Sequence, residues 1–414
     1  MIGESTYRGS TPDFGHRDDD LLRAELDGIS EALLDISHAI HSRPESRFEE
    51  YFASKLLVDK LSSEGFLVTQ NLAGLPTAFR AEYTVSEGGP TLAFFCEYDA
   101  LEEIGHGCGH NIVAAAGIGA ALLTKRWLMQ NPQWPGKVVV IGSPGEEGGG
   151  GKALLLDGNA LDDIDAAMLM HPEGYTLSAM TTLARSMLDF NFRGKAAHAA
   201  VSPEKGINAL DASVITLTAI GLLRQQLPSD VRVHVIVTHG GDVPNIIPET
   251  ASIRAFVRAP DTRLLMDNLV PRVSDCARGA ALATGATVEI TSSAPPYAAM
   301  TPNPILAQLV ESNFLRVGRK PEPPLRDVLP GSTDMGNVSQ HIPSIHPVIE
   351  LEAGVGLHSR EASALAGSSQ GDRAVVDGAL VLAMTAVQLL SSPDLVRHMK
   401  AAFREGNQPR DATR

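Results

Sequence analysis

Three short, nearly uninterrupted apolar runs constrain this chain most: Thr91–Cys96 (TLAFFC), Lys137–Gly142 (KVVVIG) and Ala166–Met170 (AAMLM). A strand that is apolar on both faces must be covered on both, which is the signature of a parallel sheet flanked by helices. The segments between the runs can supply that cover, because 111–130 is Ala-rich and 154–161 reads as helical. Strands alternating with helices predict an α/β domain with a mainly parallel sheet. Upstream, Leu21, Leu22, Leu26, Ile29, Leu33, Ile36 and Ile40 recur at helical spacing, and Phe52, Leu56, Leu57 and Leu61 resume it after Pro44. This predicts two helices broken near His41-Ser42-Arg43-Pro44.

From about residue 186 the periodicity changes. Ser186–Phe192 alternates, Asn208–Gln226 reads as a helix, and Val231, Val233, Val235 and Val237 alternate strictly. Ala251–Val257 reads as a strand, Leu264–Ala283 as a helix and Thr287–Thr291 as a strand. Strand-helix-strand-strand-helix-strand is the split unit of ferredoxin-like α+β domains. At 414 residues the chain exceeds what one core usually supports. The expected organisation is a discontinuous catalytic domain over 1–185 and 296–414, with residues 1–19 a mobile polar arm. A smaller domain over 186–295 is inserted into it. After the return through Pro295-Pro296, a helix is expected near 305–316, a strand at Val348–Leu351 and a helix near 373–391.

Charge and cysteine content narrow the function classes. The net charge is −15 and no basic stripe is present, which argues against a nucleic-acid partner. Cys96, Cys108 and Cys276 are too few for a disulfide framework and fit a reducing compartment. The N-terminus lacks a basic region followed by an apolar stretch, and the apolar run Ile112–Leu123 is short for a bilayer. A soluble, cytoplasmic protein with no membrane partner is expected.

Polar clusters follow the apolar runs. Glu97-Tyr98-Asp99 ends the first; Gly107-Cys108-Gly109-His110-Asn111 opens the Ala-rich helix; Gly145-Glu146-Glu147-Gly148 follows the second run. His171-Pro172-Glu173 follows the third, and Gly356-Leu357-His358-Ser359 comes late. Each has an ordinary structural reading alone: a packed small Cys108, a solvated loop glutamate, a hydrogen-bonded loop histidine. Their shared position beyond strand ends, where α/β sheets place their sites, favours function. Cys108, His110, Glu147, His171 and His358 offer a thiolate, three imidazoles and a carboxylate, a donor set suited to zinc or a similar divalent ion and sufficient for two. Of the adjacent glutamates, one can bind metal while the other acts as base for water acidified by the ion.

These motifs resemble the aminoacylase-type metallopeptidase family, in the branch of aminobenzoyl-glutamate, hippurate and indoleacetyl-amino-acid amidohydrolases and related acyl-amino-acid dipeptidases. The resemblance rests on HSRPESRFEE (41–50), CEYDALEEIGHGCGH (96–110), SPGEEGGGGK (143–152), MHPEG (170–174), GKAAHAA (194–200), PNIIPE (244–249), RAP (258–260), PGSTDMGNVS (330–339) and LHSREA (357–362). It implies two divalent metal ions per subunit, zinc first, manganese or cobalt as alternatives. It implies Cys108, His110, Glu147, His171 and His358 as ligands, Glu146 as general base, and Asp99 as the residue orienting a metal-bound imidazole. The small domain becomes a lid and dimerisation domain, with His198 reaching a partner subunit's site to stabilise the oxyanion. Asn245 and Arg258, 13 residues apart and expected at the ends of neighbouring strands, would hold the substrate's carboxylate. The implied reaction is hydrolysis of the amide of an N-acyl amino acid or dipeptide by a homodimer. Where exopeptidase branches carry His-x-Asp, this chain has Glu97-Tyr98-Asp99, so one imidazole is missing there. The Gly331-Ser332-Thr333-Asp334 loop lies where the resemblance implies closure of the substrate pocket and is assigned no chemistry.

Other readings are a strict dipeptidase or carboxypeptidase of the same family, a serine hydrolase using Ser369, and a non-catalytic binding protein. Gly367-Ser368-Ser369-Gln370-Gly371 matches G-x-S-x-G, but no apolar strand precedes it. Gly148–Gly151 followed by Lys152 imitates a phosphate loop, yet Glu146 and Ala153 occupy positions that the motif reserves for Gly and for Ser or Thr. The run is expected instead to let the backbone pass close beneath the metal site.

Overall fold

The computed structural model describes residues 15–323 and 331–406, and they divide into two compact units. The first holds the described residues through Thr181, residues 301–323 and those from Asn337 on; the second holds Thr182–Met300 with residues 331–336. The strands are β1 (Leu67–Gln70), β2 (Phe79–Ser86), β3 (Thr91–Cys96), β4 (Gly136–Gly142), β5 (Ala166–Met168), β6 (His171–Glu173), β7 (Ala184–Arg193), β8 (Arg232–His239), β9 (Thr250–Ala259), β10 (Thr287–Thr291), β11 (Ser344–Ile345) and β12 (Val348–Glu350).

In the first unit six strands form a sheet in the order β1-β2-β4-β3-β5-β11. β3 runs parallel to β4 and β5, and β5 to β11, while β1 and β2 extend the sheet antiparallel. Every residue of β3 is buried, as its unbroken apolar sequence requires. The helices His110–Gln130 and Ser369–Leu390 are long and apolar enough to cross a membrane, but 83% of each apolar window is buried inside the fold. They are apolar around their circumference because they pack as core helices. This is a mixed α/β fold with a mostly parallel sheet.

In the second unit four strands lie in the order β10-β7-β9-β8, every neighbour antiparallel. Leu188, Phe190, Phe192, Ile253, Ala255 and Val257 point to one face, where they pack on Ala212, Ile220, Leu269 and Val273 of two helices. The strict alternation of these strands therefore sends their polar residues to the other face.

Several elements differ from expectation. The N-terminal helical stretch contains three helices, His16–Asp27, Ser30–Ser42 and Tyr51–Ser63, because the chain breaks at Gly28-Ile29 with Ile29 at φ −123°. The helix starting at His16 includes residues assigned to a polar arm; residues 1–14 of that arm lie outside the described residues. The run Ala166–Met170 ends as a strand at Met168, and His171–Glu173 pairs with β12 in a separate two-stranded sheet. Residues 331–336, expected in the catalytic domain, group with the second unit: Leu183 N donates to Gly331 O at 2.9 Å, and a Cβ on Gly336 would meet Ala298 O at 2.0 Å.

Candidate metal centre

The first unit holds seven of the singled-out side chains: Asp99, Cys108, His110, Glu146, Glu147, His171 and His358. β3 ends at Cys96, so Glu97 and Asp99 follow at its carboxyl end; β4 ends at Gly142, three residues before Gly145-Glu146-Glu147. Cys108 and His110 sit at the start of the helix His110–Gln130, whose N-cap Gly109 is left-handed at φ +71°. His171 opens β6. His358, at φ +61°, is fixed by its backbone N–H, which donates to Gly107 O at 2.9 Å and ties the late loop to the Cys108 loop. A non-glycine residue held left-handed costs of order 1 kcal/mol, strain of a kind that gathers at functional sites.

Ligand-type atoms lie within 4.8 Å of one another in three overlapping triplets: Cys108-His110-His171, Cys108-Glu147-His358 and His110-Glu146-Glu147. Cys108 Sγ is 3.6 Å from His171 Nε2, and His358 Nε2 is 3.5 Å from Glu147 Oε1. Each pair of triplets shares one residue, Cys108, His110 or Glu147, so the candidate donors form one continuous cluster.

The surrounding hydrogen bonds orient these candidate donors. His110 Nδ1 lies 2.9 Å from Asp99 O and 3.0 Å from Asp99 Oδ1, which holds a proton on Nδ1 and makes Nε2 the atom a cation would take. His171 Nδ1 donates to Pro172 O at 2.7 Å, with the same consequence. Asp99 Oδ2 accepts from Glu147 N at 2.8 Å, so one carboxylate orients a histidine and the neighbouring glutamate together. His110 Nε2 and Glu147 Oε1 are buried with no hydrogen-bond partner. Such orphans are costly unless a ligand satisfies them, and a divalent cation fits these donors.

Electrostatics agree with a cation-binding basin. Burial pushes the Cys108 thiol well above its usual range, with Glu147 adding to the shift. Burial lowers His171 to about 4. Burial also disfavours protonated His110, but the Asp99 carboxylate outweighs it and raises that group well above its ordinary value. A cation would take over the stabilising role that protons play here.

Four residues without a role in the sequence reading support this region. Lys152 Nζ reaches Glu97 Oε1 at 2.5 Å with both side chains wholly buried, and Glu97 Oε2 is 3.4 Å from His110 Nε2. Burial opposes the Glu97 charge, yet Lys152 and the nearby histidines bring its pKa down to about 2. The charged carboxylate therefore lies beside His110 at the edge of the donor cluster. His346 is buried with both ring nitrogens unpartnered, its ring centroid 5.5 Å from that of His171. Glu50 accepts from Phe48 N at 2.7 Å, Gly145 N at 2.9 Å and Thr77 Oγ1 at 2.8 Å, anchoring the turn that leads to Glu146. The glycine run packs closely on the preceding turn, since a Cβ on Gly151 would meet Pro144 O at 1.8 Å. Ser369 begins a helix that follows the helix Arg360–Ala366, so no strand precedes it and no nucleophile elbow forms.

The remaining candidates belong to the second unit. His198 is exposed and accepts from Ala200 N through Nδ1 at 3.2 Å; its backbone bridges Ile246, and Ala199 N donates to Asn245 O at 3.0 Å. His198 and Asn245 are thus neighbours. Asn245 and Arg258 are not. Asn245 precedes β9, whereas Arg258 is the ninth residue of that ten-residue strand. A rise of ~3.3 Å per residue separates Thr250 from Arg258 by roughly 26 Å. The expectation that both sit at adjoining strand ends is corrected: one chain's Asn245 and Arg258 occupy opposite ends of β9 and cannot hold one carboxylate together.

Residues 84–388 match the model of peptidase family M20/M25/M40. The chain is 38% identical over 391 residues to a Xaa-Arg dipeptidase of Mus musculus, covering 92% of this chain and 90% of that protein. It is 39% identical over 274 residues to a p-aminobenzoyl-glutamate hydrolase polypeptide of Escherichia coli, covering 62% and 56%. The fold is similar to that of a dinuclear metal binding peptidase from the M20 family of Bacillus subtilis, with a TM-score of 0.62, 20% identity and coverage of 87% and 99%. The chain belongs to peptidase family M20/M25/M40.

Proposed function

We propose that this chain is a metal-dependent amidohydrolase that cleaves the amide bond of an N-acyl amino acid or dipeptide bearing a free carboxylate. The observation that carries the reading is the convergence of Cys108, His110, Glu147, His171 and His358 on overlapping triplets beside Glu146. Two divalent cations, zinc first, would be held by those five residues and would supply carbonyl polarisation and a water acidified towards pKa ~7. Glu146 takes the proton of the attacking water and delivers it to the leaving nitrogen. Asp99 keeps His110 in the tautomer that presents Nε2.

Within this reading the second unit acts as an inserted lid and dimerisation domain. Its edge strand β8 exposes Ile236 and Val237, and the helix Ala209–Leu223 exposes Val214, Ile215 and Leu222, apolar surface suited to a second copy. Arg258 takes the substrate carboxylate, a role for which a guanidinium is well shaped. His198 and Asn245, adjacent to each other and distant from Arg258 along β9, act from the partner copy. The three cysteines are all free thiols, in keeping with a cytoplasmic protein.

The test is hydrolysis of a panel of N-acyl amino acids and dipeptides by the zinc-, manganese- and cobalt-loaded protein and by Glu146→Gln. The reading predicts turnover that a chelator abolishes and a loss of 10²–10⁴-fold in kcat for the variant. No cleavage across the panel, or full activity of Glu146→Gln, would contradict it.

A further inference from the structure

One face of the second unit's sheet carries arginines without counter-charge. Arg185 of β7 and Arg258 of β9 are register partners, so both side chains leave the face opposite Phe190 and Ile253. Like charges placed directly opposite across strands repel. Arg185 is only 9% exposed, and its Nε and Nη2 have no hydrogen-bond partner, nor has Nε of Arg258. Among the described residues no carboxylate pairs with either. The same face shows what a structural arginine looks like: Arg254, four residues before Arg258, reaches both oxygens of its register partner Asp189, at 2.6 and 3.3 Å. The third register partner, Arg232, is exposed and directs Nη1 to the carbonyls of Ser229 and Val231.

The geometry also pre-organises the pair. Arg185 Cζ lies 3.9 Å from the centroid of Tyr297 and 5.3 Å from that of Phe256, and Arg258 Cζ is 5.3 Å from the same Phe256 ring. Reciprocal backbone bonds of 2.9 and 2.8 Å hold Arg185 to Tyr297. Aromatic faces steady a guanidinium without using its N–H groups, which remain for a ligand. Burial, and then the charge of Arg185, lower the pKa of Arg258. Two uncompensated, partly desolvated cations are unfavourable to keep, and a ligand with two negative charges balances them.

We propose that Arg185 and Arg258 form a receptor for the two carboxylates of an acidic amino acid, so that the amino-acid portion of the substrate is aspartate- or glutamate-like rather than neutral or basic. The proposal rests on the amidohydrolase reading above. The experiment compares kcat/KM for N-acyl-glutamate, N-acyl-glutamine and N-acyl-arginine, each with several acyl groups, in the wild type, Arg185→Met and Arg185→Lys. Calorimetry with the uncleavable probes glutarate and butyrate, and the mass of each protein in solution, accompany it. A glutamate preference of at least tenfold over glutamine is expected, falling below threefold in Arg185→Met and lying between in Arg185→Lys, with glutarate binding at least tenfold tighter than butyrate. Equal or reversed preference in the wild type would overturn the proposal, whatever the fate of the variants. An unchanged ratio in both variants would do the same. A change of oligomeric mass in Arg185→Met would assign Arg185 to a subunit contact and also overturn it. If no amide is cleaved while glutarate still binds through Arg185, the amidohydrolase reading fails and the receptor stands.

Discussion

Glu50 illustrates how single residues shape the centre without touching it. Burial, helped by the Asp99 charge, raises its pKa from the ordinary 4.5 to about 7. Between those values the folded chain holds a proton that the unfolded chain has lost, so stability falls as pH rises through that window and levels off above it. In Glu50→Gln the amide oxygen can still accept from Phe48 and Gly145, and its NH₂ can donate to Thr77, with no charge to desolvate. Urea denaturation of the metal-free protein should find the two proteins alike near pH 4.5 and the variant more stable by about 3 kcal/mol at pH 8. An equally steep pH dependence in the variant would contradict this. The residues at strand ends were legible because a Cys, His or Glu directly after an apolar run has few structural uses. Glu50, Lys152, His346 and Arg185 were not, because each acts through a partner far away in sequence: Lys152 through Glu97, and Arg185 through Arg258 and Tyr297. The Asn245–Arg258 spacing misled because thirteen residues can be one tight turn or a whole strand.

At the scale of elements, the helix His110–Gln130 carries His110, a proposed ligand, on its first turn and packs directly on β3. A Cβ at Gly117 would meet Cys96 Sγ at 2.6 Å and Phe95 O at 3.2 Å. On an exposed helix Gly→Ala gains about 1 kcal/mol; here overpacking reverses the sign, and Gly117→Ala should lose about 1–3 kcal/mol. A raised urea midpoint would refute that. Elements with a single strong period were readable: β3 spans the residues of its apolar run, and β10 those of its alternation. The break at Gly28-Ile29 was hidden because Leu22, Leu26, Ile29 and Leu33 keep helical spacing across it, all buried on one side. β1 went unseen because it is short, with three of its four residues exposed, leaving no hydrophobic period to detect. The split of Ala166–Met170 from His171 depends on pairing with β12, 175 or more residues later, and no local pattern records it.

At the scale of the whole molecule, the proposed enzyme is a dimer with two cations in each subunit. If, as proposed, each site uses its own Glu146 and the partner copy's His198, mixed dimers of His198→Ala with Glu146→Ala subunits should regain one competent site per hybrid. Absence of recovery in confirmed hybrids would mean that His198 does not act across subunits. The central claim is simpler: a thiolate, three imidazoles and a carboxylate hold a pair of ions. Elemental analysis of the purified protein after equilibration with zinc tests it most directly. Two ions per chain are expected in the wild type, and no more than one in Cys108→Ala and in Glu147→Ala. A wild-type protein that binds none, or variants that bind as much as the wild type, would contradict it.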